Sequence, residues 1–240
     1  MDKKEANPID EIKEFFAKDP VCKLSWGVPS QVEHRWPATA AVLGVITIYF
    51  GLPARYIAGP NWLMPALELA IILPLTLSAP KRVANEGRIK QFAATAAIGI
   101  VMIANMISLV LLVNTLLYSP AKIDGAELFF SSFEIWITNV IIFALWYWEL
   151  DRGGPDDRTH VNHRAPDFLF PQMNTPGCAS ASWTPSFIDY LYLAFTNATA
   201  FSPTDVLPLT APAKVLMLFQ SIISLVTVTL VAARAVNILH

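Results

Sequence analysis

Charged residues are scarce in this chain. They make up 15% of its 240 residues, against 54% that are hydrophobic, whereas soluble domains usually carry about 25% charged residues. The formal net charge is only −2, so the chain has no excess of positive charge with which to bind nucleic acid. The composition therefore favours a membrane protein over an ordinary soluble domain, and we expect no nucleic-acid partner.

Cysteine and histidine are also rare, with two and four residues. Cys22 and Cys178 lie far apart in the sequence and match no metal or redox spacing. The cluster that most resembles metal ligands consists of Asp156, Asp157, His160 and His163. The glycines and prolines nearby favour a solvated loop, with a metal site as the alternative. The sequence shows no nucleophile–histidine–acid set and no phosphate loop, so we expect no enzyme, no required metal and no cofactor.

Long apolar runs are abundant. About 20 apolar residues are needed to cross the hydrocarbon of a bilayer, and such runs must be α-helical because lipid cannot hydrogen-bond to free backbone groups. Five runs approach this length: Trp36 to Ile57, Trp62 to Ala79, Ile89 to Tyr118, Ala126 to Glu149 and Pro212 to Leu239. They predict five transmembrane helices.

The segments that flank these runs are more polar. Residues 1–34 are predicted to be extramembrane, either as an amphipathic helix on the membrane surface or as a solvated tail. Trp146, Tyr147 and Trp148 close the fourth run, and aromatic residues in such a position are typical of a membrane–water interface. The connection that follows, from Asp151 to Trp183, is predicted to be a solvated loop outside the membrane.

Polar side chains within the predicted spans fall on restricted helix faces. They are Asn105, Ser108 and Thr115 on the third helix, Glu134, Thr138 and Asn139 on the fourth, and Gln220, Ser221, Ser224 and Thr227 on the last. Polar groups in hydrocarbon need a partner or water, so each face either hydrogen-bonds to another helix or lines a water-filled cavity. We favour helix packing for the third and fourth helices and leave both interpretations open for the last. Glu68 and Glu134 are ionisable, which makes each a candidate functional residue.

The stretch FTNATAFSPTDVLPLT, from Phe195 to Thr210, is too polar for a span and too apolar for an ordinary surface loop. A helix can start before it, because Thr184 can cap the helix and Pro185 suits its first position. The helix must stop before Pro203, since a residue that precedes proline disfavours the α conformation. That leaves a helix of roughly 24 Å, which is short for a crossing. A short helix, an irregular turn and a full helix are typical of a re-entrant pore loop.

Thr196 and Thr199 stand near the end of this short helix, Asp205 follows the turn, and the step D-V-L-P-L-T leads into the last helix. In these features Phe187 to Leu239 resembles the pore module of the tetrameric potassium-channel superfamily. The resemblance implies a homotetramer in which the fourth helix is the outer pore helix. It implies pore or filter positions at Thr196, Asn197, Thr199, Phe201, Ser202, Thr204 and Asp205. On the inner helix, Gln220, Ser221, Ser224 and Thr227 are then the candidate lining residues.

The filter of that family is typically TVGYGD, and this chain has AFSPTD in its place. The missing glycines are the residues that let backbone carbonyls turn toward a dehydrated potassium ion. We therefore expect an oligomeric, cation-permeable channel with weak selectivity, in which Phe201 is a hydrophobic constriction. The alternatives are a non-conducting membrane protein that serves assembly or sensing, and a transporter.

The predicted fold class is an all-α integral membrane protein with about five transmembrane helices plus a re-entrant pore-type half-helix. It is divided into an N-terminal segment (1–34), a three-helix membrane region (35–118) and a pore-like module (126–240). The chain also resembles a family of bacterial multi-pass membrane proteins, which implies the bacterial inner (plasma) membrane, with the lipid bilayer and an inorganic cation as partners.

The distribution of lysine and arginine places the N-terminus in the cytoplasm. With four spans before the pore segment, this rule puts residues 151–183 inside as well. The channel resemblance puts them outside. Either the pore segment crosses fully, giving six spans and a cytoplasmic C-terminus, or the module is inverted, or the charge rule fails for this chain; the sequence leaves these alternatives open.

Overall fold

The computed structural model describes residues 30, 36–57, 88–118, 125–155, 157–159, 164–175, 183–200 and 205–238. Several predictions fall outside these residues. They concern the amphipathic N-terminal segment, the second apolar run with Glu68, the cysteines Cys22 and Cys178, the metal-ligand candidates Asp156, His160 and His163, and the filter positions Phe201, Ser202 and Thr204.

Five main helices carry the described fold: α1 (Trp36–Gly51), α2 (Arg88–Tyr118), α3 (Gly125–Leu150), α4 (Phe187–Ala200) and α5 (Ala211–Ile238). By length and composition, three helical stretches are long and apolar enough to cross a membrane: Ala94–Tyr118, Gly125–Gly153 and Ala211–Ala232. As helices, α2, α3 and α5 begin and end within one residue of the predicted bounds.

The first predicted span is shorter than expected. Helix α1 has 16 residues and ends at Gly51, and a separate 3₁₀ turn follows at Ala54–Tyr56. Pro53 explains the break, because proline removes a backbone donor and pushes the residue before it out of the α region. At about 1.5 Å per residue α1 measures roughly 24 Å, so the expectation of one continuous helix to Ile57 is wrong.

Helix α3 is the centre of the fold. It packs against α1, α2, α4 and α5, and most of its C-terminal half is buried. In its apolar 18-residue window 61% is buried inside the chain, against 28% in that of α5. Helix α5 therefore leaves most of its apolar surface to lipid or to another protein chain.

A small folded unit sits at the C-terminal end of α3; we call the described residues 151–175 and 205–210 the cap. Within it, β1 (Phe168–Leu169) pairs with β2 (Leu207–Pro208) in antiparallel register, Phe168 opposite Pro208 and Leu169 opposite Leu207. A single helical turn, Pro171–Asn174, follows β1. The fold is mostly helical as predicted, but this strand pair is an addition that an all-α prediction lacks.

The interpretation of residues 151–183 as a solvated loop is wrong for the buried part of this segment, whereas Arg164, Ala165, Asn174 and Thr175 are exposed. Asp151, Arg152 and Arg158 are all fully buried. The apolar side chains of Phe168, Phe170 and Met173 belong to the same core as the helices. Charged side chains are buried here because they hydrogen-bond to backbone groups that would otherwise lack partners.

Candidate functional site

Helix α4 is the short helix that the sequence predicted, and it starts slightly later than expected. It spans Phe187–Ala200, 14 residues or roughly 21 Å, well short of the approximately 30 Å of hydrocarbon in a bilayer. Its N-terminal end is held by Asp189, whose carboxylate accepts hydrogen bonds from the Ser186 backbone N–H at 2.7 Å and hydroxyl at 2.8 Å. A carboxylate at this end also suits the positive end of the helix dipole.

Helix α4 runs alongside α3, and the chain that follows it returns to the cap at β2. Near the start of α4, the Tyr190 hydroxyl donates to Asp151 at the cap. Near its end, the Phe195 ring meets the Trp136 ring at a centroid distance of 5.8 Å. Trp136 precedes the end of α3 by 14 residues, about 21 Å along the helix, yet Leu207 is again in the cap beside β1. Both ends of the segment from α4 to β2 therefore lie at one end of α3.

A buried polar network joins α3, α4 and α5 below the cap, and Gln220 is its centre. The side-chain carbonyl of Gln220 accepts hydrogen bonds from the Tyr147 hydroxyl at 2.5 Å and from the Asn197 amide at 2.8 Å. The Gln220 amide donates to the Ala194 carbonyl at 2.8 Å. Asn197 also donates to the Met217 carbonyl at 3.0 Å. Each of the three helices thus contributes a polar side chain that forms hydrogen bonds to the other helices.

The network continues along α5. The amide of Asn139 on α3 donates to the Gln220 backbone carbonyl at 3.3 Å and to the Ser224 hydroxyl at 3.5 Å. The Thr227 hydroxyl donates to Ile223 within its own helix. Gln220, Ser224 and Thr227 are fully or almost fully buried in the single chain. Of the two interpretations that the sequence left open for this stripe, these contacts favour packing between helices over an inner-helix pore lining.

The described filter-like residues divide into two groups. Asn197 is buried in the network, and Ser221 of α5 donates to its side-chain oxygen at 3.3 Å. Thr199 is exposed and Thr196 is partly buried, and both donate to backbone carbonyls one turn earlier in α4. Asp205 is exposed at the edge of the cap. Of the described filter-like residues, Thr199 and Asp205 are therefore exposed, Thr199 near the end of α4 and Asp205 at the edge of the cap.

Asp151 organises the cap. One oxygen of its carboxylate accepts the backbone N–H groups of Asp167 at 2.8 Å and Phe168 at 3.3 Å, and the other accepts the Tyr190 hydroxyl at 2.7 Å. Asp167 in turn accepts the backbone N–H of Arg152 at 2.9 Å. Charge-assisted bonds of this kind are roughly twice as strong as neutral ones. They fasten β1 and the start of α4 to the end of α3.

Arg158 closes the C-terminus of α3. Its guanidinium donates to the Trp148 carbonyl at 2.7 Å and to the Asp151 carbonyl at 3.3 Å. The last carbonyls of a helix have no partner inside the helix and carry its negative dipole end, so a buried cation is well placed there. The guanidinium also lies 5.9 Å from the Trp148 ring and 5.4 Å from the Tyr190 ring, which adds cation–π attraction.

The aromatic residues at the end of α3 pack inside the protein. Tyr147 and Trp148 are buried, and the Trp148 ring meets Phe187 edge to face at 6.1 Å. The prediction of an interfacial belt at these two positions is therefore wrong. The residues that pack against the Trp148 ring could not be predicted from the local sequence, because Arg158 and Phe187 lie 10 and 39 residues further on. The glycine pair at 153–154, both with positive φ, was the one local signal of a folded turn.

Metal binding receives no support from the described residues. Within them, no group of three or more histidine, cysteine, aspartate or glutamate side chains is arranged to hold an ion. The structure does show a short helix, α4, packed beside α3 and α5. The exposed residue Thr199 lies near its end, and the chain returns to the cap at β2. Comparisons of the chain with family models, curated proteins and solved structures found no match.

Proposed function

We propose that copies of this chain assemble in the plasma membrane, as a homotetramer, into a cation-permeable pore of weak selectivity. The observation that carries the proposal is the course of α4, which runs along α3 and is followed by a return to the cap at β2. Irregular backbone at membrane depth is tolerated where it is covered by protein or faces water. If copies of the chain surround an axis beside α4, neighbouring copies cover part of this backbone and the water along the axis solvates the rest.

The electrostatics of α4 favour a cation. Its carbonyl end, near Ala200, carries the negative end of the helix dipole. The hydroxyl oxygens of Thr196 and Thr199 retain lone pairs after donating to the backbone. Asp205 adds a full negative charge at the edge of the cap, where it raises the local concentration of cations.

The exposed faces of α4 and α5 support assembly. Ile188 and Tyr192 project from α4, and the exposed large apolar residues of α5 include Leu218, Phe219, Ile222 and Leu225. Lipid can cover such a surface, but a second copy of the chain can do so equally well in a membrane. Because the polar stripe of α5 is used inside the chain, the inner part of the proposed pore is apolar, which suits gating by dewetting.

Weak selectivity follows from the sequence AFSPTD. A potassium filter needs glycines so that successive carbonyls can point at the ion. Phenylalanine and proline in this stretch restrict the backbone instead. Hydrated sodium and potassium ions should therefore pass at similar rates.

A non-conducting role in assembly or sensing is the second candidate. The observation that favours it is the network around Gln220, which joins α3, α4 and α5 within one chain. A rigid three-helix unit of this kind can support partner proteins without any conduction.

The oligomeric state separates these candidates. Native mass spectrometry of the full chain, released from detergent micelles, should give the mass of four copies. A monomer across the accessible range of protein concentration would contradict the proposed pore, because one chain cannot surround an axis.

A further inference from the structure

The turn at residues 152–154, which we call the Arg152 turn, joins the end of α3 to the rest of the cap. All three of its residues have positive φ, 56° at Arg152, 84° at Gly153 and 101° at Gly154. Glycine adopts such angles freely, whereas a residue with a side chain is strained there because its Cβ crowds a carbonyl oxygen. In the part of the chain that the structure describes, Arg152 is the one non-glycine residue with positive φ. The chain therefore leaves α3 through a strained residue.

The side chain of Arg152 is also poorly satisfied. It is fully buried, yet among the described residues its Nε and Nη1 atoms find no hydrogen-bond acceptor. Its Nη2 atom donates to the Met173 sulfur at 3.7 Å, and a thioether is a weak acceptor. The Arg152 Nε atom lies 3.7 Å from Oδ2 of Asp151, an oxygen that already accepts the Tyr190 hydroxyl. Buried polar groups are nearly always hydrogen-bonded, so this guanidinium opposes the closed arrangement of the cap.

Detachment of the cap from α3 would relieve both costs. The Arg152 backbone could then return to negative φ, and water could accept hydrogen bonds from its guanidinium. Few polar contacts oppose this opening. The strands β1 and β2 have two residues each, the Tyr190 hydroxyl donates to Asp151, and the Thr210 hydroxyl donates to Asp167. The cap is therefore the part of the described fold in which a local opening is cheapest.

We propose that the Arg152 turn is a release point, at which the cap detaches while α3, α4 and α5 stay folded. Residues that persist in strained conformations are typical of segments that switch between two arrangements. The opening frees Tyr190 on α4 and Thr210 at the start of α5 from the cap. It is thus a conformational device that controls how firmly both helices are held, and it does not depend on whether the protein conducts ions.

Hydrogen exchange of the full wild-type chain in detergent tests the proposal. The amides of Asp167 and Phe168, which donate to Asp151, report on the cap, and the amides of residues 138–146 report on the interior of α3. We expect a protection factor at least about tenfold lower in the cap than in α3. Exchange in the cap should also depend less on added urea, because a local opening exposes less surface than global unfolding.

Substitutions at position 152 test the cause of the opening. Arg152→Gly removes both the strain and the unsatisfied guanidinium, so it should raise the protection of the cap amides by about tenfold and leave α3 unchanged. Arg152→Asn should act in the same direction, since asparagine tolerates positive φ. Arg152→Met removes the charge but keeps the strain, and it should give a smaller increase. Arg164→Gly is the matched control, because it makes the same replacement as Arg152→Gly at an exposed position of the cap without positive φ; it should not raise the protection.

Three outcomes would overturn the proposal. The first is equal protection of the cap and of α3 in wild type, which would mean that the cap opens only with the whole protein. The second is unchanged or lower protection of the cap in both Arg152→Gly and Arg152→Asn, or failure of both to fold, because the ion pair with Asp151 would then stabilise the closed cap. The third is an equal increase in Arg164→Gly, which would separate the effect from the Arg152 turn.

Discussion

Gln220 is the residue on which the contact of α3, α4 and α5 depends most. Gln220→Leu should lower the free energy of unfolding by about 1–3 kcal/mol, because the Tyr147 hydroxyl and the Asn197 amide each lose a buried acceptor. Average polar contacts between membrane helices contribute only about 0.6 kcal/mol, so a loss in this range would mark a cooperative network. Chemical unfolding of the purified protein in mixed micelles measures the change.

Thr229→Val is the control for this substitution. Thr229 lies on the same helix, is exposed, and bonds only to the Leu225 carbonyl one turn earlier. It should change the stability by no more than about 0.5 kcal/mol. Equal effects of the two substitutions would show that the network around Gln220 contributes no special stability.

Arg158 caps the C-terminal end of α3. Arg158→Met should destabilise the protein by about 1.5–3 kcal/mol, since the charged bond to the Trp148 carbonyl is lost, while the Asp151 carbonyl keeps the Gly154 backbone N–H at 3.0 Å. Arg158→Lys should recover part of this loss, because an ammonium group can reach one carbonyl but lacks the planar fork. Arg164→Met, at an exposed position of the cap, should have little effect. Identical losses at positions 158 and 164 would contradict the capping role.

At the scale of elements, the long helices were predictable and the small ones were not. The lengths of the apolar runs predicted the bounds of α2, α3 and α5, because a long, nearly uninterrupted apolar run leaves few alternatives to a helix. Helix α1 was predicted too long because the effect of Pro53 was outweighed by the apolar residues around it. Strands β1 and β2 have two residues each, and no periodicity can show in two residues. Their pairing depends on contacts between segments that are distant in sequence.

The candidate site was predictable in outline for a similar reason. The proline at position 203 and the short apolar stretch before it predict a short helix. The partners of Asn197 could not be foreseen, because helical periodicity gives the face of a residue but not the helix that it meets.

Thr210 links the return segment to the start of α5. Its hydroxyl donates to the Asp167 carboxylate at 2.5 Å and lies 3.5 Å from the Ala213 backbone N–H, as expected for an N-cap. Thr210→Val keeps the shape and should cost about 1 kcal/mol. Hydrogen exchange of the amides at Leu209 and Ala213 should accelerate roughly fivefold, which corresponds to that energy.

Thr199→Val is the matched comparison, since the Thr199 hydroxyl bonds only to the Phe195 carbonyl. It should leave exchange at positions 209 and 213 unchanged. If both variants accelerated exchange there, the start of α5 would be held by something other than Thr210.

At the scale of the whole molecule, the structure fixes one relation between the N-terminal region and the cap. The Ser30 backbone N–H donates to the Arg158 carbonyl at 2.8 Å, so Ser30 lies against the cap. We therefore predict that the chain before α1 and the cap lie on the same side of the membrane. Lysine and arginine before the first span favour the cytoplasm for that side. The cap is then predicted to be cytoplasmic, opposite to its place in the channels that the pore segment resembles.

Thiol labelling in whole cells tests this orientation. A cysteine introduced at the exposed position Asn174, with Cys22 and Cys178 replaced by serine, should react with a membrane-impermeant reagent only after the cells are permeabilised. Labelling in intact cells would place the cap outside and show that the charge rule fails for this chain.

Ion flux through liposomes that contain the purified full chain tests the central claim most directly. The account predicts flux of sodium and potassium ions at similar rates, above that of protein-free liposomes. Asp205→Asn should reduce this flux at low ionic strength and much less at high ionic strength, because salt screens the charge that gathers cations. Glu127→Gln, at the far end of α3 from the cap, should leave it unchanged. No cation flux through the wild-type protein, at a verified ratio of protein to lipid, would contradict the proposed pore.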